Sequence, residues 1–266
     1  MKISIVTISF NQAEYLERSI RSVLDQNYPD LEYIIVDPGS SDGSREIIEK
    51  YRDRFAKVIF EPDQGPADGL NKGFSHATGE IYGYLNSDDT LLPGSLSFVA
   101  EQFNNAAEID VLSGHAYIVD KFDNVVQKVF SHPFSLGAYA VGSCVLVQQS
   151  TFFKPGLFKK IGGFNKENRI SWDGELMVDF AINGAKFKLV RKFLSCFRIY
   201  DESITGSGQQ VSEKYKIQHQ KIVKKILDAG FRPRSKYWEW LITRAKDPLS
   251  TVERIIDGFL HRKRLV

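Results

Sequence analysis

The sequence predicts an α/β protein, with a mostly parallel sheet covered by helices on both faces and a helical extension at the C-terminus. Three observations predict it. Apolar, β-branched runs alternate with segments of helical period through about the first hundred residues, the pattern of repeated β-α-β units. Each of those runs ends on polar or acidic residues. Beyond about residue 205 the alternation gives way to lysine-rich and aromatic stretches of helical period.

ISIVTISF from residue 3 and LEYIIVD from residue 31 read as strands, and between them Tyr15, Leu16, Ile20, Val23 and Leu24 recur at helical spacing. Asn11 is placed to cap that helix and Tyr28-Pro29-Asp30 to close it. A second helix is expected from Ser44 to Arg54, then VIFEPD as a strand, PADGLNKGFSHAT as a helix and EIYGYLN as a fourth strand. The second half is less regular. DVLSGHAYIVD and NVVQKVFS flank a turn at Lys121 to Asn124, and GSCVLVQQSTFF reads as a strand leading into Lys154-Pro155-Gly156. A short helix from about Trp172 to Ile182 stops at Asn183-Gly184, and KLVRKFLSCFRIY returns as a strand. SEKYKIQHQKIVKKILDAGF is a helix with Ile217, Ile222 and Ile226 on one side and lysines on the other.

Composition narrows the function classes. With 266 residues, 42% of them hydrophobic, the chain can bury a sizeable core. A net charge of +2 gives no general pull toward nucleic acid, and none is expected as a partner. Cys144 and Cys196 are the only cysteines, too far apart for a C-x-x-C motif, which fits a reducing, cytoplasmic setting. No run of about 18 apolar residues suggests a membrane span. The five histidines fall at no metal-ligand spacing.

The charges of interest are therefore local. Asp37, Asp63 and the Asn86-Ser87-Asp88-Asp89 group each follow a predicted strand, so they converge on the carboxyl rim where open α/β sheets bind ligands. Adjacent carboxylates repel unless neutralised. Oxygen ligands suit Mg²⁺ or Mn²⁺, which takes one or two protein carboxylates and fills its shell with water and phosphate. The alternative is a set of strand-end turns with solvated acids, since Asp, Pro and Gly are common in turns.

With these pieces in place, the chain resembles the inverting family 2 glycosyltransferases of the GT-A fold, a Rossmann-like architecture, over roughly residues 2 to 205. The resemblance is carried in order by SIVTISFNQAEYLERSIRSVLDQ, IIVDPGSSDGS, EPDQGPADGLNKGFSHATGEIYGYLNSDD, SWDGEL and FRIYDESIT. It implies a glycosyltransferase domain over residues 1–205, with a nucleotide-binding half to about 100 and an acceptor half from about 101, and a helical extension over 206–266. It further implies metal-dependent transfer of a sugar, with inversion, from a nucleotide-diphosphate donor such as a UDP-sugar to an acceptor hydroxyl. The acceptor class it implies is a saccharide or lipid-linked saccharide of bacterial surface polysaccharide or lipopolysaccharide assembly.

By the same resemblance Thr7, Ser9 and Asp37 hold the uracil and ribose. Asp88 contacts the ribose or the metal, and Asp89 binds the metal directly. Asp68 and Asn71 shape the sugar pocket and Lys72 reaches the diphosphate, although capping roles and a solvated lysine account for them as well. Asp173 of SWDGEL stands where the family carries its catalytic base, in the first turn of a helix whose dipole favours an anion; Glu175 is the second candidate. Trp172 is either an acceptor platform or simply packed.

Two departures matter. Pro38 replaces a second acid, and Tyr200 stands where the family often has a metal-binding histidine. These keep a nucleotide-sugar-binding protein without turnover in view. A sugar-nucleotide pyrophosphorylase is disfavoured because ISFNQAEY has neither glycine nor lysine to grip a triphosphate. The C-terminal Trp238, Trp240, Leu241, Ile242, Ile255, Ile256, Phe259 and Leu260, followed by Arg262, Lys263 and Arg264, suit peripheral contact with an anionic membrane. They equally suit a cap packed on the domain or on a second subunit of a homo-oligomer.

Overall fold

The computed structural model describes residues 1–200 and 213–262. Residues 201–205 of FRIYDESIT, the expected boundary at 205/206, and Lys263 and Arg264 lie outside them.

Four parallel strands form the N-terminal half: β1 (Ile3–Ile8), β2 (Leu31–Val36), β3 (Lys57–Ile59) and β4 (Ile81–Asn86). Between them run α1 (Ala13–Leu24), α2 (Ser44–Lys50) and α3 (Pro66–Ser75). Side chains alternate along a strand, and here the alternation divides the sheet between two cores. Ile3, Ile5, Tyr33 and Ile35 join Leu16, Ile20 and Ile48 of α1 and α2 on one face. Val6, Ile34 and Val36 join Leu70 and Phe74 of α3 on the other. Burial on both faces explains why these strands are almost continuously apolar.

Past β4 come β5 (Thr90–Leu91), α4 (Ser95–Asn105), β6 (Val111–Val119), β7 (Val125–Val129) and α5 (Leu136–Ala140). Then follow β8 (Thr151–Phe153), α6 (Pro155–Ile161), α7 (Trp172–Ile182) and β9 (Phe187–Arg198). Strand order is β3-β2-β1-β4-β8-β6-β9-β5, with β7 beside β6. β8 runs antiparallel to both neighbours, so the sheet is mixed in its second half as expected. The chain closes with α8 (Glu213–Asp228), α9 (Lys236–Lys246) and α10 (Pro248–Arg262).

Register sets the functional level of the sheet. Ile8 pairs with Val36 and with Asn86, and Val36 pairs with Ile59, so four strands end side by side. Three local expectations are corrected. Asn11 does not cap α1: it takes a left-handed backbone and accepts from the Ser41 amide, while Asp42 accepts from the Ala13 amide at 2.9 Å. The second helix stops at Lys50 and continues only as a 3-10 turn over Arg52–Arg54. Most of GSCVLVQQSTFF is not a strand, because the Val145 and Val147 amides donate to the side chains of His132 and Ser131 instead of to a ladder.

Candidate active site

A cavity of about 690 Å³ opens over this rim. One wall is the strand ends, with Ile8, Ser9, Pro38, Asp63, Gly65, Asn86 and Asp88. The facing wall comes from the second half, with Arg169, Trp172, Phe197, Arg198 and Tyr200. Gly65 sits at φ +124 before α3, a backbone that other residues rarely adopt.

The two adjacent acids have different surroundings. Asp88 lines the cavity, and its Oδ2 accepts from the Tyr200 hydroxyl at 3.2 Å. Burial pushes its pKa up. Asp89 is 1% exposed and turned inward. Its Oδ2 accepts from Gln149 Nε2 at 2.6 Å and Asn86 Nδ2 at 3.2 Å, and its Oδ1 from the Arg198 amide at 3.0 Å. Burial and the neighbouring Asp88 push its pKa well up. Both its oxygens join β4, β9 and the segment before β8, so the Asp89 carboxylate is tied into the interior while that of Asp88 stands at the cavity.

Arg198 sets this arrangement from behind. It is 1% exposed, donates from Nε to the Asp88 carbonyl at 3.0 Å and from Nη1 to the Asp120 carbonyl at 2.7 Å, and pairs with Asp123. Its guanidinium also lies 4.7 Å from the Tyr15 ring centroid. A buried charge with this many partners fixes geometry more than it adds stability.

Of the expected nucleotide contacts, Ser9 lines the cavity and its buried Oγ has no partner among the described residues. Asp37, directly before Pro38, is fully buried. Its Oδ1 accepts from the Gly39 and Ser40 amides and from Arg45 Nε, whereas its Oδ2 has no partner among the described residues. Buried acceptors are nearly always satisfied, so such an atom invites a donor from a ligand. Thr7, expected beside them, turns its hydroxyl to within 3.0 Å of the Tyr33 hydroxyl inside the core.

Asp68, Asn71 and Lys72 each have partners within the protein and do not line the cavity. Asp68 accepts from the Gln64 amide at 3.0 Å and faces Lys166 at 3.4 Å. Asn71 exchanges two hydrogen bonds, of 2.8 and 2.9 Å, with the Phe164 backbone. Lys72 donates to the Pro62 carbonyl. Asp63, by contrast, lines the cavity, and burial with the charges of Asp68 and Asp37 pushes its pKa up.

On the facing wall Trp172 is both packed, against Tyr84 and Phe164, and part of the cavity lining. Asp173 follows it in the first turn of α7, partly exposed, and burial pushes its pKa up. Glu175 points away. Burial works against its charge, but Asn168, Asn165 and Lys225 hold its pKa below the ordinary value.

Among the described residues no group of three or more His, Cys, Asp or Glu side chains could hold a metal unaided. A carboxylate at an open cavity fits Mg²⁺ or Mn²⁺ when a diphosphate supplies further oxygens, and Asp88 and Asp63 both line this one. Tyr200 does not add a metal-binding nitrogen; its hydroxyl bridges Gln12 and Asp88. Sequence reasoning missed Gln149, which carries no motif, and Arg169, whose one signal is a cation three residues before the tryptophan of SWDGEL.

A family model described as glycosyl transferase family 2 matches residues 4–172. An uncharacterized glycosyltransferase of Nostoc sp. is 37% identical over 131 residues, covering 48% of this chain and 40% of that one, so the chain spans less than half of this relative. An uncharacterized glycosyltransferase of Mycobacterium tuberculosis is 31% identical over 182 residues, 68% of this chain and 69% of that one. Among solved structures, residues 1–349 of S. aureus TarS in complex with UDP-GlcNAc align with a TM-score of 0.70 at 19% identity, covering 93% of this chain and 73% of TarS 1–349. That likeness establishes the GT-A type of α/β fold.

Proposed function

The chain belongs to glycosyl transferase family 2, and from that premise we propose that it moves a sugar from a UDP-sugar, with inversion and with a divalent metal, to a saccharide or lipid-linked saccharide hydroxyl. The setting we propose is surface polysaccharide or lipopolysaccharide assembly in the cytoplasm. The observation that carries the reading is the pairing of a cavity-facing Asp88 with buried polar atoms of Ser9 and Asp37 that have no partner among the described residues, at one strand-end rim. The UDP-GlcNAc held by TarS on the same fold supports the choice of donor.

In this reading Asp37 and Ser9 take the nucleoside, whose N–H and hydroxyl groups match their free acceptors. Asp88 holds Mg²⁺ or Mn²⁺, which when bound neutralises charge on the departing diphosphate. Arg169 adds a cation beside it. Trp172 offers an apolar face to the acceptor sugar. Asp173 accepts the proton of the acceptor hydroxyl as that oxygen bonds to the anomeric carbon, while the bond from that carbon to the diphosphate oxygen breaks. A carboxyl whose pKa is raised by burial is a better proton acceptor than a solvated one. Family membership removes the pyrophosphorylase alternative, and turnover separates the enzyme from a mere binder.

The test is calorimetric titration of UDP with Mn²⁺ and with chelator, followed by a screen of UDP-sugars for UDP release in the presence of saccharide acceptors. Metal-dependent binding lost in Asp88→Asn, together with product formation, is the expected result. Metal-independent binding unchanged by Asp88→Asn would remove Asp88 from the site. Binding without product from any donor would favour the non-catalytic reading.

A further inference from the structure

We propose that the outer face of α9 and α10 is a docking surface for an anionic lipid bilayer. The inference is independent of the donor and of the chemistry at Asp88; it rests on how these two helices are turned.

An amphipathic helix on a soluble domain ordinarily faces its apolar stripe inward. α8 does so: Ile222 and Ile226 are buried with Val178 of α7, and Lys225 reaches down to Glu175 and Asp179. α10 is turned the other way. Its polar side chains meet the sheet: Ser250 lies 3.4 Å from His115, Arg254 donates to the Ser131 carbonyl at 3.1 Å, Glu253 pairs with Arg191 and Asp257 with Lys128. Leu249, Val252, Ile255 and Ile256 are each more than half exposed, and at helical spacing they share the opposite face. α9 repeats the arrangement. Glu239 and Thr243 are buried, with Glu239 against Gly137 of α5 and bonded to the Arg234 amide, while Tyr237, Trp238 and Trp240 stand outward. Of the two alternatives the sequence left, a cap packed on the domain itself does not describe the apolar side of α10.

Two features identify the occupant. The acids of this region, Glu239, Asp247, Glu253 and Asp257, are all engaged by protein partners. Of its cations Arg254 turns inward, whereas Arg232, Arg234, Lys236 and Lys246 are exposed and Arg244 lies 4.1 Å from the Trp240 ring centroid. An apolar face with tryptophans and a basic border matches the boundary between acyl chains and anionic headgroups. A second copy of the same face would set like charges against each other. Among the described residues no helix is long and apolar enough to cross a membrane, so the contact is with the surface.

The experiment is co-sedimentation of the full chain with phosphatidylcholine vesicles and with vesicles carrying about 30 mol% phosphatidylglycerol, at low and high salt. Binding is expected to the anionic vesicles, several-fold weaker to neutral ones, and reduced by salt. The variant Trp238→Ser with Ile255→Gln and Ile256→Gln should lose roughly tenfold or more of that binding. Its circular dichroism and Tm should match those of the unaltered protein, because these side chains are already in solvent. No binding to either vesicle, or full binding by the variant, overturns the proposal. A dimer by light scattering that the variant splits, with no vesicle binding, would assign the face to a second copy instead.

Discussion

The acids at the strand ends are held in two different ways. After β2 and β3 the donors are close in sequence: Asp37 is held by the amides two and three residues on and Asp63 by that of Gly65. The two acids after β4 are tied from afar. Asp89 meets Gln149 across 60 residues and Arg198 across 109, and Tyr200 reaches Asp88 across 112. Local ties fix the shape of turns, while distant ties decide which of two neighbouring acids faces the ligand. Proximity to a motif therefore says less about function than whether a carboxylate has oxygens left to offer.

The largest effect should come from Asp173, next in sequence to the lining residue Trp172. Asp173→Asn removes the proton acceptor and is expected to lower kcat by about 10²–10⁴ while leaving UDP affinity near that of the unaltered enzyme. Since the base must be ionised and its pKa is raised by burial, kcat/KM should climb with pH through an acid limb above the usual aspartate range. An unchanged kcat would move the base elsewhere.

Next in size is the contrast between the paired acids. Asp89→Ala leaves the Gln149 amide and the Arg198 backbone amide unpaired in the interior, at a cost of about 1–3 kcal/mol per group. Thermal unfolding should show a fall of several degrees or more. Asp88→Ala should leave Tm almost unchanged and abolish only the metal-dependent part of UDP binding. The reverse pattern would break the comparison.

The smallest effect separates two cations. Arg169→Ala should weaken UDP binding by about tenfold and flatten its salt dependence, the loss of one charge at the diphosphate. Lys72→Ala should change it by less than about twofold, since that ammonium is held by the Pro62 carbonyl. Equal effects would return Lys72 to the site.

Much of this was legible in the chain. The nearly continuous apolar runs and the intervening helical stripes marked out the β-α-β half, because burial on both faces leaves a continuous apolar signature. The strand-end acids marked the rim, since register alone carries them there. The sequence could likewise nominate Asp88 and Asp173, each through a motif at the end of an element. The orientations of Thr7 and Lys72 were not legible, because a strand-end or helical position does not say which way a side chain turns.

What only tertiary structure decided is the partnering. Asp88 and Asp89 are the same residue type on adjacent positions, and nothing local distinguishes them. Gln149 and Arg198 do, by satisfying one carboxylate in the interior and leaving the other at the cavity. The same holds for the C-terminal helices. Their amphipathic period was evident from the sequence, but its direction was not, because an apolar stripe faces inward or outward according to the surface that receives it. Here β6, β7, β9 and the segment after β7 offer His115, Lys128, Arg191 and Ser131, groups that attract the polar side of α10 and leave its apolar side to solvent.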